Sequence, residues 1–181
     1  MNNFSLMKNT LRPAVAADRE GIIDLYKKVV RISGGLARAE DEITVEYVDG
    51  FIAEAAHNGV HLVMENPATG AIIGEIHCYK PGLKCFDHML SDLTIAVDPD
   101  FQGQGIGKSL FMGVLDEVRE NRKDILRVEL LTGESNKRAL AFYQGIGFTI
   151  EGRMPGRYRK PDGVIDTDIP MAWMNPNFKT V

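Results

Sequence analysis

Leu93-Thr94-Ile95-Ala96-Val97-Asp98-Pro99-Asp100-Phe101-Gln102-Gly103-Gln104-Gly105-Ile106-Gly107-Lys108 is the stretch on which the reading of this chain turns. It opens as an apolar run of strand character, breaks at a proline-containing turn, and passes through Gly103, Gly105 and Gly107 into a helix start. Glycines at those positions strip away side chains where the backbone comes close to something else. Several unpaired N–H groups then aim at one point, and the helix dipole adds partial positive charge there. A phosphate or pyrophosphate is the natural guest.

Three phosphate-binding patterns compete for these residues. The dinucleotide pattern GxGxxG fails because Lys108 stands where its third glycine belongs. The P-loop pattern GxxxxGK[ST] nearly matches through Gly107-Lys108-Ser109, but Gln102 occupies its first glycine. The pattern Q/R-x-x-G-x-G/A is satisfied in full by Gln102, Gly105 and Gly107. Here the chain resembles the GNAT superfamily of N-acetyltransferases, in which that pattern holds the pyrophosphate of CoA. A glycine turn serving tight strand–helix packing alone is the plain alternative.

A second segment bears on that choice. Glu134-Ser135-Asn136-Lys137-Arg138-Ala139-Leu140-Ala141-Phe142-Tyr143-Gln144-Gly145-Ile146-Gly147-Phe148 reads as a short helix, capped by Ser135 or Asn136 and ended at Gly147. Asn136 and Tyr143 are seven residues apart, about 20° short of two helical turns, so both lie on one face. By themselves they read as a cap and a core aromatic. The run S-N-x-x-A-x-x-F-Y-x-x-x-G-F also resembles the second CoA-binding segment of the same superfamily, in the expected order after the first. The resemblance extends over roughly Leu11 to Met174 and is tightest from Asp92 to Phe148.

The resemblance implies a GNAT-like α/β fold: a mixed, mostly antiparallel sheet of about six to seven strands flanked by about four helices. The hydrophobic pattern agrees. A strand near Leu11–Val15 leads to a helix starting at Asp18, with Ile22, Leu25, Tyr26 and Val29 on one face and Ser33-Gly34-Gly35 at its end. Val48, Phe51, Ile52 and Ala55 mark a second helix closed by Gly59. His61–Glu65 and Ala71–Tyr79 read as a hairpin about residues 66–70, and Pro81-Gly82 opens a loop holding Cys85 and His88. After the strand Asp92–Val97 and the glycine turn, Ile106, Leu110, Val114, Leu115 and Val118 form a long helix's buried stripe. The strand Ile125–Leu131 and the helix Asn136–Ile146 follow. Strands Phe148–Arg159 and Thr167–Met174 then pair around Pro161-Asp162-Gly163.

Composition narrows the classes. The 181 residues fit a single N-acetyltransferase domain over 1–181, with residues 1–10 as a flexible N-terminus. A net charge of −4 argues against nucleic acid as the partner. Cys78, Cys85 and the four histidines show neither a disulfide framework nor HExxH spacing, so no metal is expected. No stretch approaches the apolar length of a membrane span or a signal peptide, which points to the cytoplasm. The basic run Arg153–Lys160 reads as a solvated strand face.

The resemblance further implies acetyl-CoA as acyl-donor substrate, with no metal, and direct transfer to a primary amine, probed first as that of a small molecule. Protein N-terminal or lysine acetylation is the nearest variant, a non-catalytic acyl-CoA-binding module the alternative from another class, and a P-loop nucleotide-binding protein a third. Many members dimerise, so a homodimer is among the arrangements implied. The binding set comprises Ile95, Ala96, Val97, Gln102, Gly103, Gln104, Gly105, Ile106, Gly107, Lys108, Asn136 and Tyr143. Tyr143 matches the family's general acid, which protonates the departing thiolate. The family's glutamate five positions before the asparagine is Leu131 here. Asp92, Glu75 and Glu129 stand as substitutes for the base, with Asp92 ranked first and a water chain equally open.

Overall fold

The computed structural model describes residues 11–32, 36–160 and 162–180. The flexible N-terminus read at residues 1–10 and the helix stop at Ser33-Gly34-Gly35 lie outside them. Four helices, α1 (Arg19–Val30), α2 (Val45–Asn58), α3 (Ile106–Asn121) and α4 (Lys137–Gly145), accompany eight strands. These are β1 (Leu11–Pro13), β2 (Gly59–Glu65), β3 (Ile72–Tyr79), β4 (Met89–Val97), β5 (Arg127–Gly133), β6 (Thr149–Ile150), β7 (Met154–Arg159) and β8 (Ile165–Met174). The sheet order is β1-β2-β3-β4-β5-β8-β6, with β7 also paired to β8. β4 and β5 are parallel, whereas β1–β2, β5–β8, β6–β8 and β7–β8 are antiparallel. The mixed, mostly antiparallel sheet with four helices is the architecture that the sequence implies.

By contacts the chain divides into two compact units. The first takes the residues up to His77 with Thr94–Asp116. Its helices bury the stripes that the spacing predicts: Ile22, Leu25, Tyr26 and Val29 on α1, and Val48, Phe51, Ile52 and Ala55 on α2. Thr44 caps α2 by accepting from the Tyr47 N–H, and Gly59 closes it. β3 alternates with period two: Glu75 and His77 meet Tyr26 and Phe51, while Gly74 faces Ile106 and Leu110 of α3. A methyl at Gly74 would lie 2.8 Å from Ile106 Cγ2. Asp18 differs from its expected role. Its carboxylate accepts from the Val15 N–H and pairs with Arg12, so it caps the 3-10 turn before α1, and α1 itself has no side-chain cap.

The second unit takes Cys78–Leu93 with Glu117–Val181. Here the single strand expected over Phe148–Arg159 is two, β6 and β7, and this raises the strand count to eight. The cause lies on the partner strand. Ile150 pairs with Met171 and Met154 with Asp168, so residues 151–153 face only 169–170. Pro170 has no N–H to give to a ladder, and its carbonyl accepts from Glu151 at 2.9 Å. A bulge results. Elsewhere in this unit, the buried Asn175 amide donates to the carbonyls of Val118 and Ile125, tying the last turn of α3 to the segment that leads into β5. Trp173, paired with Val128, is buried, with Arg119 over its ring. Among the described residues no helix is long and apolar enough to cross a membrane.

Candidate active site

The glycine turn of the first unit is held from behind. The Asp98 N–H donates to the Ile73 carbonyl on β3, and its carboxylate accepts from the Asp100 N–H, capping the 3-10 turn Pro99–Phe101. Lys28 of α1 reaches Asp98 at 2.7 Å and Asp100 at 2.6 Å. Two carboxylates beside a phosphate cradle would repel its guest, and one ammonium between them offsets that field. Neither Lys28 nor Asp98 was singled out by sequence. The signal was present in Asp98-Pro99, since Asp before proline is a turn starter, but Lys28 lies 70 residues away.

Gly103 and Gly105 take φ of +77° and +84°, a region in which side chains are strained. They bend the chain so that α3 starts at Ile106, with the Ser109 N–H already bonded to the Gly105 carbonyl. The N–H groups of a helix's first turn have no intrahelical acceptor, so those of Ile106, Gly107 and Lys108 are available in principle to an anion. Gly107 is no tight-packing glycine: a methyl there would meet Ile95 Cδ1 and Val97 Cγ2 at 3.8 Å, ordinary contact. The side chains of Gln102, Gln104 and Lys108 are exposed. Those of Ile106 and Ala96 are buried, leaving their main chains as the groups available to a ligand.

In the second unit Asn136 is the N-cap of α4, its Oδ1 accepting from the Ala139 N–H at 3.1 Å. Ser135 is committed elsewhere, to Asp166 at 2.6 Å. Gly147, at φ +101°, ends the helix with the Phe148 N–H reaching back to the Tyr143 carbonyl. Tyr143 is half-buried beside Phe142 and Phe148, and burial pushes its phenol up to about 12.

The candidates for the base separate. Asp92 is exposed on β4 at φ +52°, with Ser91 Oγ 3.4 Å from its carboxylate. Glu129 is paired with Arg127 at 3.0 Å, and Leu131 is an exposed residue of β5. Glu75 is wholly buried and accepts from the Tyr26 hydroxyl at 2.6 Å, with His61 and His77 on its other oxygen. Burial alone would raise its pKa, but the electrostatic influence of His77 and the contacts of both histidines outweigh that and hold it at about 2. A carboxylate so weakly basic is mismatched to an ammonium, so Glu75 is reassigned from base to structural cluster. In the basic run Arg153 pairs with Glu134 and Arg157 with Asp168, and Lys160 donates to Ser135 Oγ.

Comparison with known proteins places the chain in a family. The model of the acetyltransferase (GNAT) family matches residues 19–148. The chain belongs to the GNAT family. Among curated relatives, the [ribosomal protein bS18]-alanine N-acetyltransferase of Escherichia coli (strain K12) is 36% identical over 76 residues, covering 42% of this chain and 50% of its own. The L-amino acid N-acyltransferase MnaT of the same organism is 31% identical over 62 residues, covering 34% of this chain and 35% of its own. This GNAT chain thus spans at most about half the length of the curated relatives it is set beside. A phosphinothricin acetyltransferase of Sinorhizobium meliloti, solved in complex with AcCoA, shares the fold. Its TM-score is 0.76 at 20% identity, covering 95% of this chain and 92% of that one.

Proposed function

We propose that this GNAT chain is an N-acetyltransferase that takes acetyl-CoA as donor and passes the acetyl group directly to a primary amine of a small molecule. The observation that carries the reading is the turn itself. Gly103 and Gly105 adopt backbone angles suited to glycine, and Gly107 has room for a methyl, so packing alone does not require a glycine there. In this reading the N–H groups of Ile106, Gly107 and Lys108 hold the CoA pyrophosphate. Main-chain groups of Ile95, Ala96 and Val97 hold the acyl arm, and the Tyr143 phenol protonates the departing thiolate. Asn136 spends its oxygen on the α4 cap, which leaves its amide nitrogen as the group to meet the pantetheine. Asp92 or a water chain takes the proton of the amine.

The small-molecule acceptor draws support from the relative named an L-amino acid N-acyltransferase and the fold neighbour named a phosphinothricin acetyltransferase. A second reading, transfer to a protein N-terminus, draws on the relative named for alanine of a ribosomal protein. The two separate in one assay: thiol release from acetyl-CoA with amino acids, antibiotic amines and alanine-starting peptides as acceptors. Turnover with a small amine, reduced about 10²- to 10⁴-fold in Tyr143→Phe with acetyl-CoA affinity kept, supports the proposal. Turnover confined to peptides favours the second reading. Acetyl-CoA binding without turnover on any acceptor would point instead to a module that only binds.

A further inference from the structure

Away from the glycine turn, within the first unit, three metal-ligand side chains converge in the core. His61 comes from β2, and Glu75 and His77 from β3, where a two-residue spacing puts both on one face. Their ligand atoms lie within 4.8 Å of one another. His61 Nε2 and His77 Nδ1 each stand 2.8 Å from the same oxygen, Glu75 Oε1, with side-chain exposures of 5%, 3% and 0% for His61, His77 and Glu75.

A hydrogen-bonded cluster accounts for part of this. His77 Nδ1 meets Oε1 in hydrogen-bonding geometry, and the Tyr26 hydroxyl donates to Oε2. It does not account for His61. Its Nε2 is buried and close to Oε1, yet has no hydrogen-bond partner, because the ring does not align with the carboxylate. A buried polar atom left so is costly, and a buried carboxylate asks for positive charge nearby. One divalent cation meets both demands, since a ring nitrogen ligates through its in-plane lone pair and the ion supplies the charge.

The geometry points to a buried zinc-type site in which His61 Nε2, Glu75 Oε1 and His77 Nδ1 ligate one divalent transition-metal ion, tying β2 to β3 beneath α1 and α2. Two imidazoles and a carboxylate form a zinc donor set. In a tetrahedral zinc site, neighbouring ligand atoms stand about 3.4 Å apart, so each nitrogen withdraws about half an ångström from Oε1 to admit the ion. The Tyr26 hydroxyl stays on Glu75 Oε2 and orients the carboxylate so that Oε1 faces the two rings. Phe51 fixes both rings, stacked on His77 at 4.0 Å and edge-on to His61 at 5.7 Å, and supplies an apolar wall. No HExxH or Cys-rich run announces the site because its ligands come from two strands, brought together by the sheet. The role is structural, independent of the proposed acetyl transfer.

The test is metal content and thermal stability of the full chain, produced with zinc in the medium and purified without chelator or an immobilised-metal column. One zinc per chain is expected by inductively coupled plasma mass spectrometry, falling below a tenth in His61→Gln and in His77→Gln. A strong chelator should lower Tm by about 10 °C in the parent chain and leave any folded variant unmoved. Chain refolded with cobalt(II) should show the ligand-field absorption of a tetrahedral ion. A parent chain without transition metal whose Tm is unchanged by added zinc overturns the site, as does equal metal in parent and variants. Because the parent chain alone can return that answer, failure of a variant to fold does not rescue the idea.

Discussion

A phenol pushed up to about 12 keeps its proton across the whole working range of an enzyme. If Tyr143 is the general acid, kcat/KM should rise with pH as the acceptor amine deprotonates, and show no alkaline fall up to about pH 10. A fall near pH 8 to 9 would assign the acid elsewhere. At Asp18 the charge works on stability. Hydrogen bonding to Arg12 holds this buried carboxyl below its ordinary value, against the effect of burial. A depressed folded-state pKa stabilises above the unfolded value of about 3.9, and that share is lost as pH falls below it. Asp18→Asn should therefore cost about 1–3 kcal/mol at pH 7, with the gap to the parent narrowing as pH falls below the ordinary carboxylate range in urea titrations. The spacing of Asn136 and Tyr143 could be read from sequence because one helix carries both. Glu75 could not, since its partners Tyr26 and His61 come from other elements.

For the turn, two neighbouring glycines answer different questions. Gly105 has a positive φ and open space, so Gly105→Ala should destabilise by about 1–2 kcal/mol through backbone strain alone. Gly107 lies inside α3 at an ordinary φ with room for a methyl, so Gly107→Ala should leave Tm unchanged or slightly raised. Its cost should fall on acetyl-CoA affinity, measured by calorimetry. Parent-like affinity in Gly107→Ala would remove this residue from the proposed cradle. Helices were legible at this scale because their buried stripes sit in continuous sequence, as at Ile106, Leu110, Val114 and Val118. The strand over Phe148–Arg159 misled because its interruption is written on the partner, in the missing N–H of Pro170.

Across the molecule, the chain passes between the two units at positions 77/78, 93/94 and 116/117, and these fall inside β3, β4 and α3. Elements continuous through every crossing predict a single unfolding transition. Mixed topology was legible as a family resemblance; the strand order was not, because pairings such as Arg127 with Met174 join residues that no local pattern connects. The sequence's lone tryptophan makes cooperativity measurable. Trp173 lies in the second unit against Arg119 and Gly147, whereas α1 and α2 belong wholly to the first. Its emission therefore reports on one unit, and the far-UV signal of those helices on the other. In guanidinium the two curves should superimpose; a split midpoint would show two foldons, and whether the colour of one indole shifts before or after the helical signal falls would tell which melts first.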